Sequence, residues 1–537
     1  MFCGRAFWRR LATLTDLNAT SSATPDSGSW RLGLLVFLAV LAFSAPQAAL
    51  LPLLDRDEPR FAEASREMLQ GGDIVVPKFN DEPRYNKPPL IYWGQAISFT
   101  LFGENAFAAR FPSLLATAGT AVLLFAWGVS LGSSCIGMIA ALGYAFCLQT
   151  IQQGRVGTAD ALLIFFMTLT AFAGWRVITF APQLRDSTAG PGRAARSFGW
   201  GMILALGFAG GFLTKGPEAL LIMLPLLVCA RKSGGAVYID LVCNFLLGLV
   251  LVMFWALPAY IDTNGEYWQK GLNEGLWSRM VEALQGHGAS SFGWYVLSVP
   301  LYYPLLFWMS ALPWSPLLVT HRKKLFSGWK PDPLDTYLLL NAGLIFVIFS
   351  LMVTKLPHYS LPAFPFLVLL FARRWIAADL SPKMPTQLAG GFGLVLAVLT
   401  AVLVPLALAL HLSPSPTGEL VREAQADGVL KSETEFAVVD FQEPNTIWEM
   451  RRVSTNYGQV IQASEVDAFL KQPGPRAVLL SSGLYKMISD EAATSVRVPT
   501  PATSWKIYQT SGWNTAKGWD SKRGGLALMD LTLVVKP

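Results

Sequence analysis

Charged side chains are scarce in this chain. Only 15% of its 537 residues are Asp, Glu, Lys or Arg, while 53% are hydrophobic. Soluble domains carry about 25% charged residues, so the composition excludes an ordinary soluble enzyme of this length. Apolar runs of about 20 residues recur along most of the sequence, which is typical of a polytopic helical membrane protein.

Cysteine and histidine are also scarce. The five cysteines fall in the N-terminal segment or inside predicted membrane spans, so neither a structural disulfide nor a zinc site is expected. With only four histidines in the chain, a histidine-based metal site is not expected. Motifs of soluble hydrolases, phosphate loops and dinucleotide-binding domains are absent. We attribute the net charge of +6 to loop residues beside a membrane, not to nucleic-acid binding.

Hydropathy predicts about eleven membrane spans, or up to thirteen if short or tilted helices are counted. They lie near 31–51, 107–131, 133–152, 160–179, 198–213, 217–230, 238–261, 296–319, 334–353, 359–372 and 388–410. An odd number would put the two termini on opposite sides of the membrane. Gly207 and Gly211 form a small-residue pair that indicates close helix packing.

The distribution of basic residues predicts the orientation. Residues 1–30 lack the apolar core of a cleavable signal peptide and are predicted to be a cytoplasmic tail, together with the alternate loops rich in Arg and Lys. The remaining loops then lie outside, among them the first loop, residues 52–106. The membrane domain is assigned to 31–411. Residues 412–537 alternate short strand-like and helical patterns, which predicts a small external α/β domain.

The first loop is predicted to contain two helices. Pro59–Leu69 follows a capping residue, Asp57, and ends before two glycines. Its apolar stripe (Phe61, Ala64, Met68) opposes Glu63, Arg66 and Glu67, the pattern of a helix lying in the membrane interface with its charges in water. Pro88–Phe102 is the second predicted helix. Trp268–Leu284, in another external loop, has a similar amphipathic pattern.

The acidic residues of the first loop are the first candidates for chemistry. Asp57 and Glu58, with Asp55 as an alternative, could act as a general base or position an acceptor. They could also hold a divalent cation, so that cofactor is left open and no other is expected. The simpler alternative is helix capping and ordinary solvation.

Basic residues of the same loop suggest an anion site. Arg60, Arg84 and Lys87, with Tyr85 beside them, could stabilise a phosphate leaving group. The alternative is contact with lipid head groups, worth about 1 kcal/mol each. The prolines after Lys87 restrict the backbone, which favours a positioned lysine.

Further candidates lie at external membrane boundaries. Asp160 is an acidic residue at the end of a span, where charge is costly and usually functional, although Arg155 could be a structural partner. Lys355, His358 and Tyr359 follow a later span, and Lys215 lies at another. Snorkelling is the common alternative for such lysines.

The first loop resembles that of the aminoarabinose–lipid A transferase family, glycosyltransferases of the GT-C superfamily that use lipid-linked sugars. The resemblance rests on Asp57-Glu58-Pro59-Arg60-Phe61-Ala62-Glu63, Arg66-Glu67-Met68, the turn from Gly72 to Pro77, and Tyr85-Asn86-Lys87-Pro88-Pro89. A later stretch, Lys355-Leu356-Pro357-His358-Tyr359, is similar to the family as well.

The resemblance implies a GT-C-like membrane fold with a periplasmic C-terminal domain and a site facing the periplasm of a bacterial inner membrane. It implies Asp57 as the main catalytic carboxylate, Asp160 as the second, and Lys87, Arg60 and Arg279 as phosphate ligands. Tyr85 and Tyr359 would line the donor pocket. The implied donor is undecaprenyl-phosphate aminoarabinose, the acceptor lipid A, and a monomer is expected.

The chain departs from the family pattern at two places. Asn86 stands where the family often has Glu, and Asn273-Glu274-Gly275 stands where a Glu-His pair is common. These changes weaken the case for a bound metal ion. They also leave open another sugar, or a protein or polysaccharide acceptor. A transporter of lipid-linked sugars is the rival from another class, but we find no internal repeat of the kind such folds show.

Overall fold

The structure, a computed structural model, describes residues 29–53, 57–184, 191–273, 292–410, 415–439, 444–489, 506–510, 516–520, 525–529 and 531–537. These residues form two compact units. The first unit comprises the described parts of Met1–Pro46, Tyr85–Ile91 and Phe111–Ala397. The second comprises those of Gln47–Arg84, Tyr92–Arg110 and Val398–Pro537. Most of the first loop thus groups with the C-terminal segment, while Tyr85–Ile91 belongs to the first unit.

Helices dominate the chain up to residue 409, and most of the long ones are apolar. In chain order they are α1 Ser29–Leu50, α2 Asp57–Gly71, α3 Leu90–Phe102, α4 Ala106–Ser130, α5 Ser134–Ala145, α6 Leu148–Gln153, α7 Asp160–Leu184, α8 Pro191–Lys215, α9 Met223–Ser233, α10 Gly235–Asp262, α11 Glu266–Leu272, α12 Phe292–Ser310, α13 Ser315–Thr320, α14 Arg322–Phe326, α15 Pro333–Leu351, α16 Phe364–Ala377 and α17 Lys383–Ala409. Two 3₁₀ turns, Gly216–Ile222 and Pro357–Ala363, lead into α9 and α16.

The chain is a helical membrane protein, as predicted. Among the described residues, eight helical stretches are long and apolar enough to cross a membrane, and Arg196–Arg231 counts as one of them. Each of the eleven predicted spans coincides with helical structure, but several of these helices are too short to qualify alone. The number of crossings and their parity stay predictions.

Close helix packing in the first unit depends on small residues. The Gly207–Gly211 pair lies against the neighbouring helix: a Cβ on Gly207 would meet Thr170 of α7, and one on Gly211 would touch Phe166 and Ala219. The pair therefore serves helix packing within the chain, as the sequence suggested. Around it, aromatic rings fill the core, with Trp127 stacked on Phe172 at 5.0 Å between centroids.

The tightest approach joins α4 to α5. A Cβ on Gly128 would overlap the backbone of Gly137, and a Cβ on Gly137 would overlap the carbonyl of Phe125. Backbone atoms cannot move aside as flexible side chains do. The short turn between these two helices is therefore compatible only with glycine at both positions.

The C-terminal part of the second unit is an α/β domain, as predicted. Its elements are α18 Pro416–Ala426, β3 Glu435–Val439, α19 Pro444–Arg451, β4 Gln459–Ile461, the 3₁₀ turn Ala463–Glu465, α20 Val466–Lys471, β5 Arg476–Ser481, α21 Ser482–Ser489, β6 Lys506–Gln509, β7 Ala516–Asp520, β8 Gly525–Met529 and β9 Leu531–Lys536; β1 Lys78–Phe79 and β2 Glu82–Pro83 form a hairpin in the first loop. The main sheet has the order β4-β3-β5-β9-β6. Strands β3, β4 and β5 are parallel, while β9 runs antiparallel to β5 and β6.

The prediction that the charged face of the first-loop helix is exposed to water is wrong. Helix α2 forms where expected, but its charged face does not face water: Glu63 and Arg66 are fully buried and Glu67 is 6% exposed. Helix α19 of the C-terminal domain covers this face. Glu63 pairs with Arg66, and Arg451 Nε lies 3.3 Å from Glu63 Oε1. We call Glu63, Arg66 and Arg451 the Glu63 cluster.

Burial dominates the electrostatics of this cluster. It raises the pKa of Glu63 to about 7, although Arg66 and Arg451 act in the opposite direction and Glu67 adds to the rise. Burial likewise lowers the pKa of Arg66. The folded protein therefore holds a proton on Glu63 over a pH range in which the unfolded chain has lost it.

Replacing Gly128 by alanine should destabilise the first unit. The new methyl group has no space against Gly137, and overpacking of this kind costs about 1–3 kcal/mol. Gly343→Ala is the matched control, because a Cβ there meets nothing within 4 Å. Thermal melting of the detergent-solubilised protein tests this: equal melting temperatures for the two variants would contradict the packing.

Glu63→Gln should change the pH dependence of stability. Because the folded pKa lies above the usual value of 4.5, the wild type loses stability relative to the variant as pH rises from about 4.5 to about 7. The change should reach a few kcal/mol, since one pKa unit corresponds to about 1.4 kcal/mol. Melting curves at pH 5, 6, 7 and 8 measure it, with the exposed Glu82→Gln as control. A difference between Glu63→Gln and wild type that does not vary with pH would refute the expectation.

Candidate active site

Asp160 is the centre of a polar cluster in the first unit. It is the first residue of α7, and its Oδ1 accepts a hydrogen bond from Lys215 Nζ at 2.8 Å. Its Oδ2 accepts from Thr158 Oγ1 at 3.0 Å and Gln153 Nε2 at 3.1 Å. The Asp160 carboxylate, which the sequence marked as a functional candidate, is thus held by three hydrogen-bond donors.

Lys215, at the end of α8, is the cation of this cluster. Besides Asp160, its ammonium lies 3.1 Å from Glu218 Oε2, and it sits 5.3 Å from the centroid of the Tyr359 ring. His358 Nε2 is 4.0 Å from Asp160 Oδ2. The side chain of Lys215 is 6% exposed, so it does not snorkel into water. We call Asp160, Lys215 and Glu218 the Asp160 cluster.

The cluster borders an open cavity. Lys87 and Asn86 line it from the end of the first loop, and Lys215 and Glu218 line it from the turn after α8. Aromatic side chains supply much of the remaining wall: Tyr85, Phe212, Trp255, Tyr267 and Trp268. Aromatic walls with a few convergent polar groups are typical of small-molecule sites.

The backbone around Lys87 is fixed by the helix that follows α10. Tyr267 in α11 donates a hydrogen bond from its hydroxyl to the Lys87 carbonyl at 2.6 Å. The Tyr267 ring packs edge-on against Tyr85 and Trp255, with centroids 5.3 and 5.2 Å apart. Lys87 itself is 7% exposed. The sequence analysis inferred a positioned lysine from the following prolines, and Tyr267 adds a second constraint.

In the second unit, Asp57 begins α2 and its side chain is 57% exposed. Arg60 lies one turn later, with Nη1 3.8 Å from Asp57 Oδ1. An exposed carboxylate at a helix start can accept a proton or a hydrogen bond from a ligand. The Asp57 carboxylate is therefore accessible to a ligand.

Glu58 has the opposite environment. It is 2% exposed and forms a bidentate ion pair with Arg110, with both N···O distances at 2.7 Å. Arg110 also donates to the carbonyls of Ala48, Leu51 and Pro52. Glu58 and Arg110 therefore tie the two ends of the first loop together, and this is a structural task.

Two other predicted residues also have local partners. Arg84 donates from Nε to the Tyr92 hydroxyl at 3.1 Å and stacks over Phe61. Lys355 is buried, and its Nζ donates to the carbonyls of Ser350 and Met352 at the end of α15. Burial lowers the pKa of Lys355. Asp55 and Arg279 lie outside the described residues, as does most of the predicted helix 268–284.

Glu218 does not stand out in the sequence, and Lys215 stands out only as a lysine at a membrane boundary. Their contact partner, Asp160, lies 55 residues before Lys215, and no local pattern announces such a pair. The signal that was available is the Lys215-Gly216-Pro217-Glu218 turn, where Gly216 has φ of +76° and ends α8 abruptly. Within the described residues, no three His, Cys, Asp or Glu side chains form a group that could hold a metal ion.

Residues 86–261 match the family model described as dolichyl-phosphate-mannose-protein mannosyltransferase. This segment contains Lys87, Asp160, Lys215 and Glu218. The polar side chains that line or border the cavity therefore come largely from one segment shared with that family.

Curated relatives match a longer part of the chain. A protein of Yersinia pestis (strain Pestoides F), named undecaprenyl phosphate-alpha-4-amino-4-deoxy-L-arabinose arabinosyl transferase, is 32% identical over 363 residues, 65% of this chain and 59% of the relative. A Serratia proteamaculans (strain 568) protein of the same name is 30% identical over 390 residues, 70% of this chain and 65% of the relative. The matches thus span about 60% of the relatives' length. The resemblance read from the first loop is confirmed.

A solved structure matches nearly the whole fold. The crystal structure described as ArnT from Cupriavidus metallidurans bound to undecaprenyl phosphate superposes with a TM-score of 0.65, covering 95% of this chain and 98% of that one, at 16% identity. Its apo form gives a TM-score of 0.64. The GT-C-like fold with its C-terminal domain is therefore confirmed.

Lys215→Met should destabilise the first unit and abolish any enzymatic activity that depends on the cavity. Without the ammonium, Asp160 and Glu218 are left as buried carboxylates without their cation, and breaking such a group costs about 3–5 kcal/mol. Thermal melting in detergent should show a clear loss, whereas Lys471→Met, in an exposed pair, should not. Adding Asp160→Asn should restore part of the loss, and a double variant no more stable than Lys215→Met would contradict this account.

Proposed function

We propose that the protein is a membrane glycosyltransferase that moves 4-amino-4-deoxy-L-arabinose from undecaprenyl phosphate to a phosphate of lipid A. The site would face the periplasm of a bacterial inner membrane. The observation that carries the proposal is the cavity lined by Lys87, Lys215 and aromatic side chains, most of whose lining residues lie in the segment that matches a lipid-phosphate-sugar transferase family. The names of the curated relatives supply the sugar and the lipid carrier.

The cavity suits a sugar attached to a phosphate. Tyr85, Trp255 and Tyr267 offer apolar ring faces to a sugar ring, while lysine binds phosphate as a point charge. The charge of Lys215 is already matched by Asp160 and Glu218. By family resemblance we assign the phosphate of the donor to Lys87, which lines the cavity, with Arg60 and Arg279 as further ligands.

The reaction we propose is a single in-line displacement. An oxygen of the acceptor attacks the anomeric carbon, the bond from that carbon to the phosphate oxygen breaks, and undecaprenyl phosphate leaves with the electron pair. Asp57 orients the acceptor or takes its proton where it carries one. Lysine and arginine stabilise the charge that develops on the leaving phosphate. Configuration at the anomeric carbon should invert. No nucleotide is needed, because the donor is already activated.

The difference between Asp57 and Glu58 supports this assignment. Both are carboxylates at the start of α2, but Glu58 is held by Arg110 while the Asp57 side chain is more than half exposed. Only an accessible carboxylate can exchange a proton with a ligand. Asp160, held by Lys215 and two further donors, fits a role in shaping the cavity.

A second candidate is transfer to a protein or polysaccharide. The match of residues 86–261 to a protein mannosyltransferase model favours it, and so does Asn86 at a cavity position where the resembling family often has Glu. Both candidates share the lipid-linked donor and the displacement, and they differ in the acceptor.

Asp57→Asn should abolish sugar transfer without unfolding the protein. Mass spectrometry of lipid A from cells with and without the protein tests this: a pentosamine addition should occur with the wild type and be lost in the variant, because the amide cannot act as a base. Asp81→Asn is the matched control, an exposed aspartate of the same loop at a positive φ that asparagine tolerates.

The outcomes separate the parts of the proposal. Full transfer by Asp57→Asn would refute the role of Asp57. Unmodified lipid A in wild-type cells, combined with release of undecaprenyl phosphate from the donor by purified protein, would move the acceptor to protein or polysaccharide. Absence of donor turnover with any acceptor would refute the transferase itself.

A further inference from the structure

The C-terminal domain meets the first loop through a helix that is buried on every side. All eight residues of α19, Pro444–Arg451, are buried, and this helix packs on α2. Trp448 stacks on Phe99 with centroids 6.0 Å apart, and the Arg66 guanidinium lies 4.6 Å from the Trp448 ring centroid. An eight-residue helix without an exposed face is a packing element, not a docking surface for another molecule.

Polar contacts follow α2 over two turns. Arg451 pairs with Glu63 and donates from Nη2 to Gln70 Oε1 at 3.2 Å. Arg66 Nη2 donates to the Trp448 carbonyl at 3.2 Å. Residues 63, 66 and 70 therefore all contact α19 directly. Each contact depends on the rotation of α2 about its axis, because residues three and four apart share one helix face.

A second set of contacts continues past the end of α2. Glu67 accepts hydrogen bonds from the backbone N–H groups of Asn80 and Asp81. The Asn80 side chain in turn bonds both backbone groups of Gly458, at 2.7 and 2.8 Å. The hairpin of the first loop is thus joined to the turn before β4.

The contacting side chains of the Glu63 cluster are charged and buried. Glu63 and Arg66 are fully inaccessible to water, and the Arg451 side chain is 4% exposed. Removing Arg451 takes away its contacts with Glu63 and Gln70, and Arg66 is then the only member of the cluster that still pairs with Glu63. Helix α2 cannot rotate or slide relative to α19 without separating these charges. Glu63 lies six residues after Asp57, about 9 Å along the same helix at 1.5 Å per residue.

We propose that the C-terminal domain is a positioning element of the transferase, and that Arg451 is the residue through which it fixes the rotation and axial position of the helix that begins at Asp57. The inference rests on the role of Asp57 proposed above. It gives residues 412–537 a task within the reaction: they hold the loop that carries the carboxylate.

The test compares Arg451→Ala with Arg452→Ala in the purified full-length protein. Arg452 is the neighbouring arginine, but its side chain is 43% exposed and its partner, Glu449, is a residue of α19 and not of α2. Hydrogen–deuterium exchange of peptides covering residues 57–71 should rise at least fivefold in Arg451→Ala and stay unchanged in Arg452→Ala. This readout does not require activity.

The kinetic readout uses the undecaprenyl-phosphate aminoarabinose donor with lipid A. The kcat of Arg451→Ala should fall at least tenfold, while binding of undecaprenyl phosphate, which we assign mainly to Lys87, should weaken less than threefold. Arg451→Lys should recover part of kcat, because it restores the charge beside Glu63. A merely destabilised protein would lose binding and turnover together.

A milder variant covers the case in which Arg451→Ala does not fold. Asn80→Gly keeps the positive φ of 55° at this position but removes both hydrogen bonds to Gly458. It should raise exchange in residues 57–71 and lower kcat in the same direction, by a smaller factor. Unchanged exchange of these residues in the folded variants would overturn the proposal, whatever the activity. Raised exchange in a protein without any transferase activity would refute the proposed function and leave the positioning contact standing.

Discussion

The fold depends on buried charged side chains that are held in ion-paired groups. An apolar chain has few charged residues, and many of them are partly or fully buried in ion-paired groups: Asp160 with Lys215 and Glu218, Glu58 with Arg110, Glu63 with Arg66 and Arg451, and Asp332 with Asp335 and Arg373. Desolvation costs several kcal/mol per ion and is offset only when every member of a group is present. Each group therefore acts as a geometric constraint on the helices that supply its members.

Within the second unit, two of these groups act in sequence. Glu58 and Arg110 close the first loop at its ends, and Arg110 also binds the carbonyls that follow α1. The Glu63 cluster then fixes the helix in between. A loop of this length would otherwise have considerable conformational freedom, and ordering it opposes folding. The charges that made the first loop conspicuous in the sequence are, in large part, what holds it in one conformation.

The sequence predicted elements better than it predicted their partners. The helices of the membrane part, the two first-loop helices and the strands at 435–439, 476–481 and 506–509 all follow from local hydropathy and period. The polar face of α2 was assigned to water because a charged helix face usually is solvated. That prediction is wrong because Arg451 of the C-terminal domain covers this face. Arg451 lies 388 residues after Glu63, and the periodicity of a helix contains no information on which distant segment packs against it. Lys215 and Asp160 were separated for the same reason: both were recognised as unusual, but their pairing is tertiary.

Charge balance also decides which candidate residues can serve a ligand. A buried lysine in a cavity suggests a phosphate site, yet Lys215 already faces two carboxylates and contributes no net attraction for an anion. The carboxylate of Glu58, next to Asp57 in the sequence, suggests a role in the same reaction, yet Glu58 is held in a bidentate ion pair with Arg110. Asp57, at a helix start and largely exposed, remains able to change its partner during a reaction. In the role proposed above, a catalytic carboxylate must be able to lose one interaction and gain another, and this requirement is met by the exposed Asp57 but not by Glu58.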